Sequence, residues 1–345
     1  MQYKQVYIEA VTHVLPPEVV TTDEIERRLA PAYARAKLSP GRLELMTGIR
    51  ERRLWERGTT PGSQSIQTVR QILEQSGMDP KKIGCLIHGS VCRDYLEPAT
   101  ACGVHQGAGL PPECQIFDVS NACLGLLTGL IQIANMIELG QIEAGIVVGT
   151  EDSRALLETT IDSLNQTENL TRKSVKPFFA SLTIGSGSAA FLLTNERLSQ
   201  KGRQLLGGLY LANTTFSHLC QSDESVKVGQ SMQTDSETLL KEGVDTANRL
   251  FPRFLDEVGW TRSDITRFFC HQVGKAHREL LYNTLNIDIC RDFSTLEFLG
   301  NTGSVALPTA LSIGMEQGLC PAGSNTALLG IGSGINSLML GIRNT

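Results

Sequence analysis

The chain has 345 residues, 41% of them apolar and 6% aromatic, with a formal net charge of -5. A chain of this size buries a core without disulfides or a structural metal. Its acidic balance excludes a nucleic-acid groove, which needs a clear basic excess, although a local basic patch for a phosphorylated ligand is compatible with it.

The first residues, Met1 to Gln5, run straight into an apolar alternation ending near Ala10, unlike an export signal. No uninterrupted apolar stretch approaches the roughly 18 residues of a membrane span. A helical pattern over Ser63–Gly77 precedes a buried strand at Ile83–His88 (IGCLIH). A second strand, Gln115–Val119, leads into an apolar helix over Ala122–Glu138, and a third strand follows at Gly145–Val148. The polar stretch Asn195–Arg203 (NERLSQKGR) is the most linker-like, and it divides the chain into 1–198 and 199–345. Beyond it, Phe268–Cys270 and Leu328–Gly330 read as buried strands. This alternation predicts a layered α/β fold.

A repeat links the two parts. Gly77–Ser90 (GMDPKKIGCLIHGS) and Gly259–Gln272 (GWTRSDITRFFCHQ) each place a helix-ending glycine, a polar turn, an isoleucine and a buried strand, 182 residues apart. The same offset from Cys123 lands at Val305, inside GNTGSVALP, so the halves read as two copies of one α/β unit.

The nine cysteines (85, 92, 102, 114, 123, 220, 270, 290 and 320) contain no CxxC pair, which argues against a zinc site or a redox dithiol. Free thiols without an export signal point to a reducing cytoplasm. Most buried cysteines are small core hydrophobes, but Cys123 stands between a strand and the start of a helix. There the macrodipole and unpaired N–H groups are expected to lower its pKa, and those N–H groups can form an oxyanion hole. His271 ends a strand, where α/β folds place their ligands; a lone histidine is otherwise an ordinary packed imidazole. Asn301, in LGNTGS, either bonds an enolate oxygen or simply makes a turn. Gly332, Ser333 and Gly334, after another strand, either supply a second oxyanion N–H or turn the chain.

Cysteine in SNAC, histidine in CHQ and asparagine in GNTGS, in that order, resemble the Cys-His-Asn triad of the thiolase superfamily and its β-ketoacyl-ACP synthase III branch. TGIRERR at Thr47–Arg53, IGSGSAA at Ile184–Ala190 and the C-terminal GSG extend the resemblance over essentially the whole chain. It implies a five-layer αβαβα fold of two pseudo-symmetric halves, a homodimer, and no permanently bound cofactor or metal, with coenzyme A or acyl carrier protein thioesters as substrates. Two departures stand out. HQVGKAH replaces the HQAN segment of members that begin fatty-acid synthesis, and Arg42 and Met46 replace a nucleotide-holding tryptophan and arginine. RDYLEPAT at Arg93–Thr100, with Glu97 26 residues before Cys123, is similar to the OleA group, which condenses two acyl-CoA molecules head to head. There the equivalent glutamate reaches the partner subunit's site and acts as base; without the resemblance, Glu97 reads as a solvated or salt-bridged residue. A decarboxylating synthase III using malonyl-ACP would need no base, and a non-catalytic acyl-binding subunit would need no triad.

Overall fold

The computed structural model describes the backbone of residues 1–225 and 229–345, and the side chains of all these except 223–225 and 229–231. The predicted strands and helices form, with boundaries moved by a few residues. In the first half the strands are β1 (Val6–Val14), β2 (Ile83–His88), β3 (Gln115–Asp118), β4 (Ala144–Glu151) and β5 (Gly187–Asn195). The second half contributes β6 (Arg203–Ala212), β7 (Arg267–Cys270), β8 (Asn325–Gly332) and β9 (Asn336–Asn344). Six helices matter here: α1 (Pro61–Ser76), α2 (Thr100–Ala108), α3 (Gly125–Glu138), α4 (Ser236–Val258), α5 (Lys275–Leu285) and α6 (Ala306–Glu316).

The nine strands hydrogen-bond in the order β7-β8-β9-β6-β1-β5-β4-β2-β3. Read outward from the β6–β1 junction, each half repeats one plan. In the first, β1 pairs antiparallel with β5, β5 antiparallel with β4, and β4 parallel with β2. In the second, β6 pairs antiparallel with β9, β9 antiparallel with β8, and β8 parallel with β7. A lone parallel bridge, Phe268 to Asp292, stands where β3 stands in the first half. The repeat read from the sequence is therefore a repeat of structure. Gly77 and Gly259 both close their helices with left-handed φ values of +65° and +68°, which glycine adopts without strain.

The layers follow from where apolar surface must go. α3 and α6 are apolar nearly all round, and their buried residues, among them Leu126, Leu130, Ile133, Leu307 and Leu311, join both halves of the sheet in one core. Burying each such side chain contributes roughly 1.5–3 kcal/mol. α1 and α2 cover the outer face of the first half through Val69, Ile72 and Val104. α4 and α5 cover that of the second through Phe251, Phe254 and Leu281. The result is the five-layer αβαβα arrangement of two pseudo-symmetric halves. Among the described residues no helix is long and apolar enough to cross a membrane.

Candidate active site

Strand ends position the chemistry. After β3 the chain turns at Ala122, which holds a strained left-handed φ of +45°. The side-chain amide of Asn121 donates to Thr128 Oγ1 at 2.9 Å, pinning this turn to α3. Cys123 follows on a short 3-10 turn, Ala122–Leu124, and α3 proper begins only at Gly125. Gly125 is required at that point, because a Cβ there would lie 2.6 Å from the carbonyl oxygen of Gly89.

Cys123 is half-buried. The backbone amide dipoles of Cys123 itself and of Ser333 favour the thiolate. Gly332 comes close enough that a Cβ on it would lie 3.6 Å from the Cys123 nitrogen. The segment Gly332–Gly334 at the end of β8 therefore meets the Cys123 turn. The lowered pKa does not hold. Desolvation, with the Glu151 carboxylate and Cys220 nearby, pushes the thiol up to about 12, outweighing the amide dipoles. The sequence argument counted the helix terminus and missed both the extra turn ahead of the helix and a buried carboxylate.

His271 directly follows β7, its N–H donating to the Leu329 carbonyl of β8 at 3.0 Å, which sets it beside the strand leading to Ser333. It is buried, and desolvation together with His277 lowers its pKa to about 3, so its imidazole is neutral at working pH. Gln272 anchors the next step: its Oε1 accepts from the Thr295 N–H at 2.9 Å. The turn reading of Asn301 is the one observed. Its Oδ1 accepts from the Gly303 N–H at 3.0 Å, making the turn, and that bond fixes the amide so that its NH2 can serve as a donor. Behind it, the buried Arg52 of the TGIRERR segment packs beneath Gly185 and Gly300. The turn Gly303–Val305, the match of the Cys123 turn in the other half, packs directly against it.

Glu97 lies elsewhere. It occupies the tip of an arm, Val91–Pro98, in which Tyr95 is 68% and Leu96 96% exposed. The arm's base is tied down: Asp94 Oδ1 accepts from the Gly62 N–H at 2.7 Å, and the Asp94 N–H donates to Thr100 Oγ1 at 3.2 Å. Glu97 itself is exposed, and among the described residues no hydrogen bond or ion pair holds it. A residue that sequence reasoning missed is Glu151, at the end of β4. Its buried carboxylate accepts from the N–H groups of Val91 and Cys92 and from the N–H and hydroxyl of Ser304. The motif VVGTED gave no warning of it, because a glutamate at a strand end is normally solvated. Among the described residues no cluster of His, Cys, Asp or Glu is arranged to hold a metal.

The Cys123 turn thus packs against the end of β8 at Gly332 and against the turn Gly303–Val305, two residues beyond Asn301, while His271 is bonded to β8. The model of the thiolase N-terminal domain matches residues 46–197, and that of the C-terminal domain of 3-oxoacyl-ACP synthase III matches 255–342. The acyl-CoA:acyl-CoA alkyltransferase of Shewanella oneidensis is 39% identical over 99% of this chain and 100% of its own length. This chain belongs to the OleA family. Its counterpart from Xanthomonas campestris is 32% identical over 98% of each chain, and the cerulenin-bound structure of Xanthomonas campestris OleA superposes with a TM-score of 0.95 over 99% of this chain and 98% of that one. A structure of a cysteine-to-serine variant of that OleA, with bound lauric acid and lauroyl-CoA, superposes at 0.93. The more distant β-ketoacyl-ACP synthase III of Koribacter versatilis is 24% identical over 96% of the chain. As an OleA-type member of the thiolase superfamily, the chain is a condensing acyltransferase.

Proposed function

We propose that the protein joins two acyl-CoA molecules by a non-decarboxylating Claisen condensation through an acyl-cysteine at Cys123. The observation that carries this reading is the close approach of the segment Gly332–Gly334 to the Cys123 turn, where a Cβ on Gly332 would lie 3.6 Å from the Cys123 nitrogen. In the first half-reaction the Cys123 sulfur attacks the thioester carbonyl. The carbonyl oxygen takes up the negative charge against the N–H groups of Cys123 and Ser333, within the segment Gly332, Ser333, Gly334. The C–S bond to coenzyme A breaks, and the thiol proton leaves with the free coenzyme A.

In the second half-reaction His271 and Asn301 donate hydrogen bonds to the carbonyl oxygen of the incoming thioester, and Glu97 removes its α-proton. The resulting carbanion forms a C–C bond to the acyl-cysteine carbonyl, and the C–S bond to Cys123 breaks. The Cys123 thiolate regains a proton as Glu97 gives up the one it removed. This leaves a β-ketoacyl-CoA, whose hydrolysis by water gives the β-keto acid. A base is needed because no carboxylate is lost from a plain acyl thioester.

An exposed arm supports a homodimer in which Glu97 serves the partner's site, since Tyr95 and Leu96 offer apolar surface for a second copy. Variants of a glutamate and a cysteine have been solved for Xanthomonas campestris OleA, at the same interval that separates Glu97 from Cys123. Residues 1–198 bring the nucleophile and the base, and residues 199–345 bring His271 and Asn301. Nine free thiols suit a cytoplasmic enzyme.

Mass spectrometry of products tests the reaction. A β-keto acid or its ketone from a long-chain acyl-CoA alone is expected; product only after malonyl-ACP is added would make the enzyme a decarboxylating synthase and leave Glu97 idle.

A further inference from the structure

We infer that Glu151 is a positioning residue, tying the root of the Glu97 arm to the turn before α6 while placing a negative charge beside Cys123. The inference rests on the reading of Cys123 as nucleophile and Glu97 as base given above.

Two stretches of chain meet on this one carboxylate. Oε1 accepts from the Val91 N–H at 3.1 Å, the Ser304 N–H at 3.2 Å and the Ser304 hydroxyl at 2.5 Å; Oε2 accepts from the Cys92 N–H at 3.2 Å. Val91 and Cys92 begin the arm that carries Glu97. Ser304 lies three residues beyond Asn301, on the turn packed against Cys123. Gly303 leaves room for the contact, since a Cβ there would lie 3.2 Å from Oε1.

Among the described residues no lysine or arginine pairs with Glu151, so four fixed dipoles carry the stabilisation of a buried charge. A carboxylate suits four converging donors. A glutamine would turn an N–H toward the Cys92 N–H and release the arm's root. The ionisable groups around Cys123 are Glu151 and Cys220, with Asp152 beside Cys92, and the charge of Glu151 opposes formation of the thiolate. The same residue thus holds the root of the Glu97 arm and adds to desolvation in disfavouring the thiolate.

The test follows Cys123 alkylation by iodoacetamide against pH, together with coenzyme A release and condensation, in the full-length wild type, Glu151→Gln and Glu151→Asp. Alkylation at fixed neutral pH should rise about tenfold in Glu151→Gln, the consequence of roughly one pKa unit. Condensation should fall about tenfold more than acylation, because the arm has lost its anchor. Glu151→Asp restores the charge and returns alkylation toward wild type.

An unchanged alkylation profile in Glu151→Gln, or acylation and condensation falling in equal proportion, overturns the inference. Should Glu151→Gln fail to fold, Ser304→Ala decides. Removing one donor leaves the carboxylate less compensated and should slow alkylation several-fold, and no slowing counts against the assignment. A wild type whose Cys123 is never acylated by acyl-CoA removes the nucleophile reading itself, and this inference with it.

Discussion

The turn Ala122–Leu124 before α3 and the turn Gly303–Val305 before α6 occupy matching places in the two halves, yet they do different things. The first bends through a strained Ala122 and presents a thiol. The second presents no nucleophile; its Ser304 grips Glu151, and its neighbour Asn301 offers an amide. The strand ends beside them divide in the same way. His88 at the end of β2 and His271 after β7 are both buried and both held neutral by desolvation, with pKa values lowered to about 4 and about 3. His88 faces Ser90 Oγ across 3.4 Å in a buried hydroxyl network, whereas His271 stands beside the strand that leads to the oxyanion turn. On the proposed reading, one copy of the duplicated frame holds the nucleophile while the other holds and polarises the substrate.

The largest way to break this division is Cys123→Ala. It should abolish the acyl-enzyme and reduce product formation by at least about 10⁴-fold, measured as loss of the acyl adduct on intact-protein mass spectrometry. Substantial product from this variant would end the nucleophile assignment. Glu97→Gln sharpens the comparison, since it should leave coenzyme A release intact while condensation drops about 10²-fold or more. Equal rates in both steps would return Glu97 to a surface role.

Gly125→Ala tests why the halves differ at the first helical residue, where the second half carries Ala306. The added methyl meets the backbone of Gly89, which cannot swing aside, so a loss of about 1–3 kcal/mol is expected by denaturant unfolding. An unaltered midpoint would show that the two backbones part freely.

The last effect, small for each residue taken singly, is in acid. His88, His271 and His277 have lowered pKa values of about 4, 3 and 4, against an ordinary value of 6.5. Between these values the unfolded chain binds more protons than the folded one, so stability falls as pH drops below 6.5. At pH 5.5 each histidine should cost about 1 kcal/mol relative to neutral pH, read from unfolding midpoints. A flat profile from pH 7 to 5 would contradict their burial.

Much of this was legible in the sequence, because strand ends, helix-closing glycines and an internal offset are local signals. Gly77 and Gly259 announced the repeat, and the strands that precede Cys123, His271 and the Gly332–Gly334 segment were read from local apolar runs. What escaped were properties that depend on distant neighbours. The ionisation of Cys123 was read from helix polarity alone, whereas the long-range approach of Glu151 and the exclusion of water decide it. Glu151 itself gave no sign, since its four donors come from residues about 60 and 153 positions away in the chain. The strands β5, β6 and β9 were not foreseen, because they become visible only through their antiparallel partners.

The arm at Val91–Pro98 has a consequence for how the enzyme comes into being. On the proposed reading, a newly made chain has a nucleophile but no base, and shows Leu96 to the solvent until it meets a second copy. Activity per chain then rises with concentration, and assembly becomes the event that switches the enzyme on. In a mixed population, a chain lacking Cys123 and a chain lacking Glu97 would each be silent alone. Paired together they would regain one working site, a cure by company that no single chain could achieve.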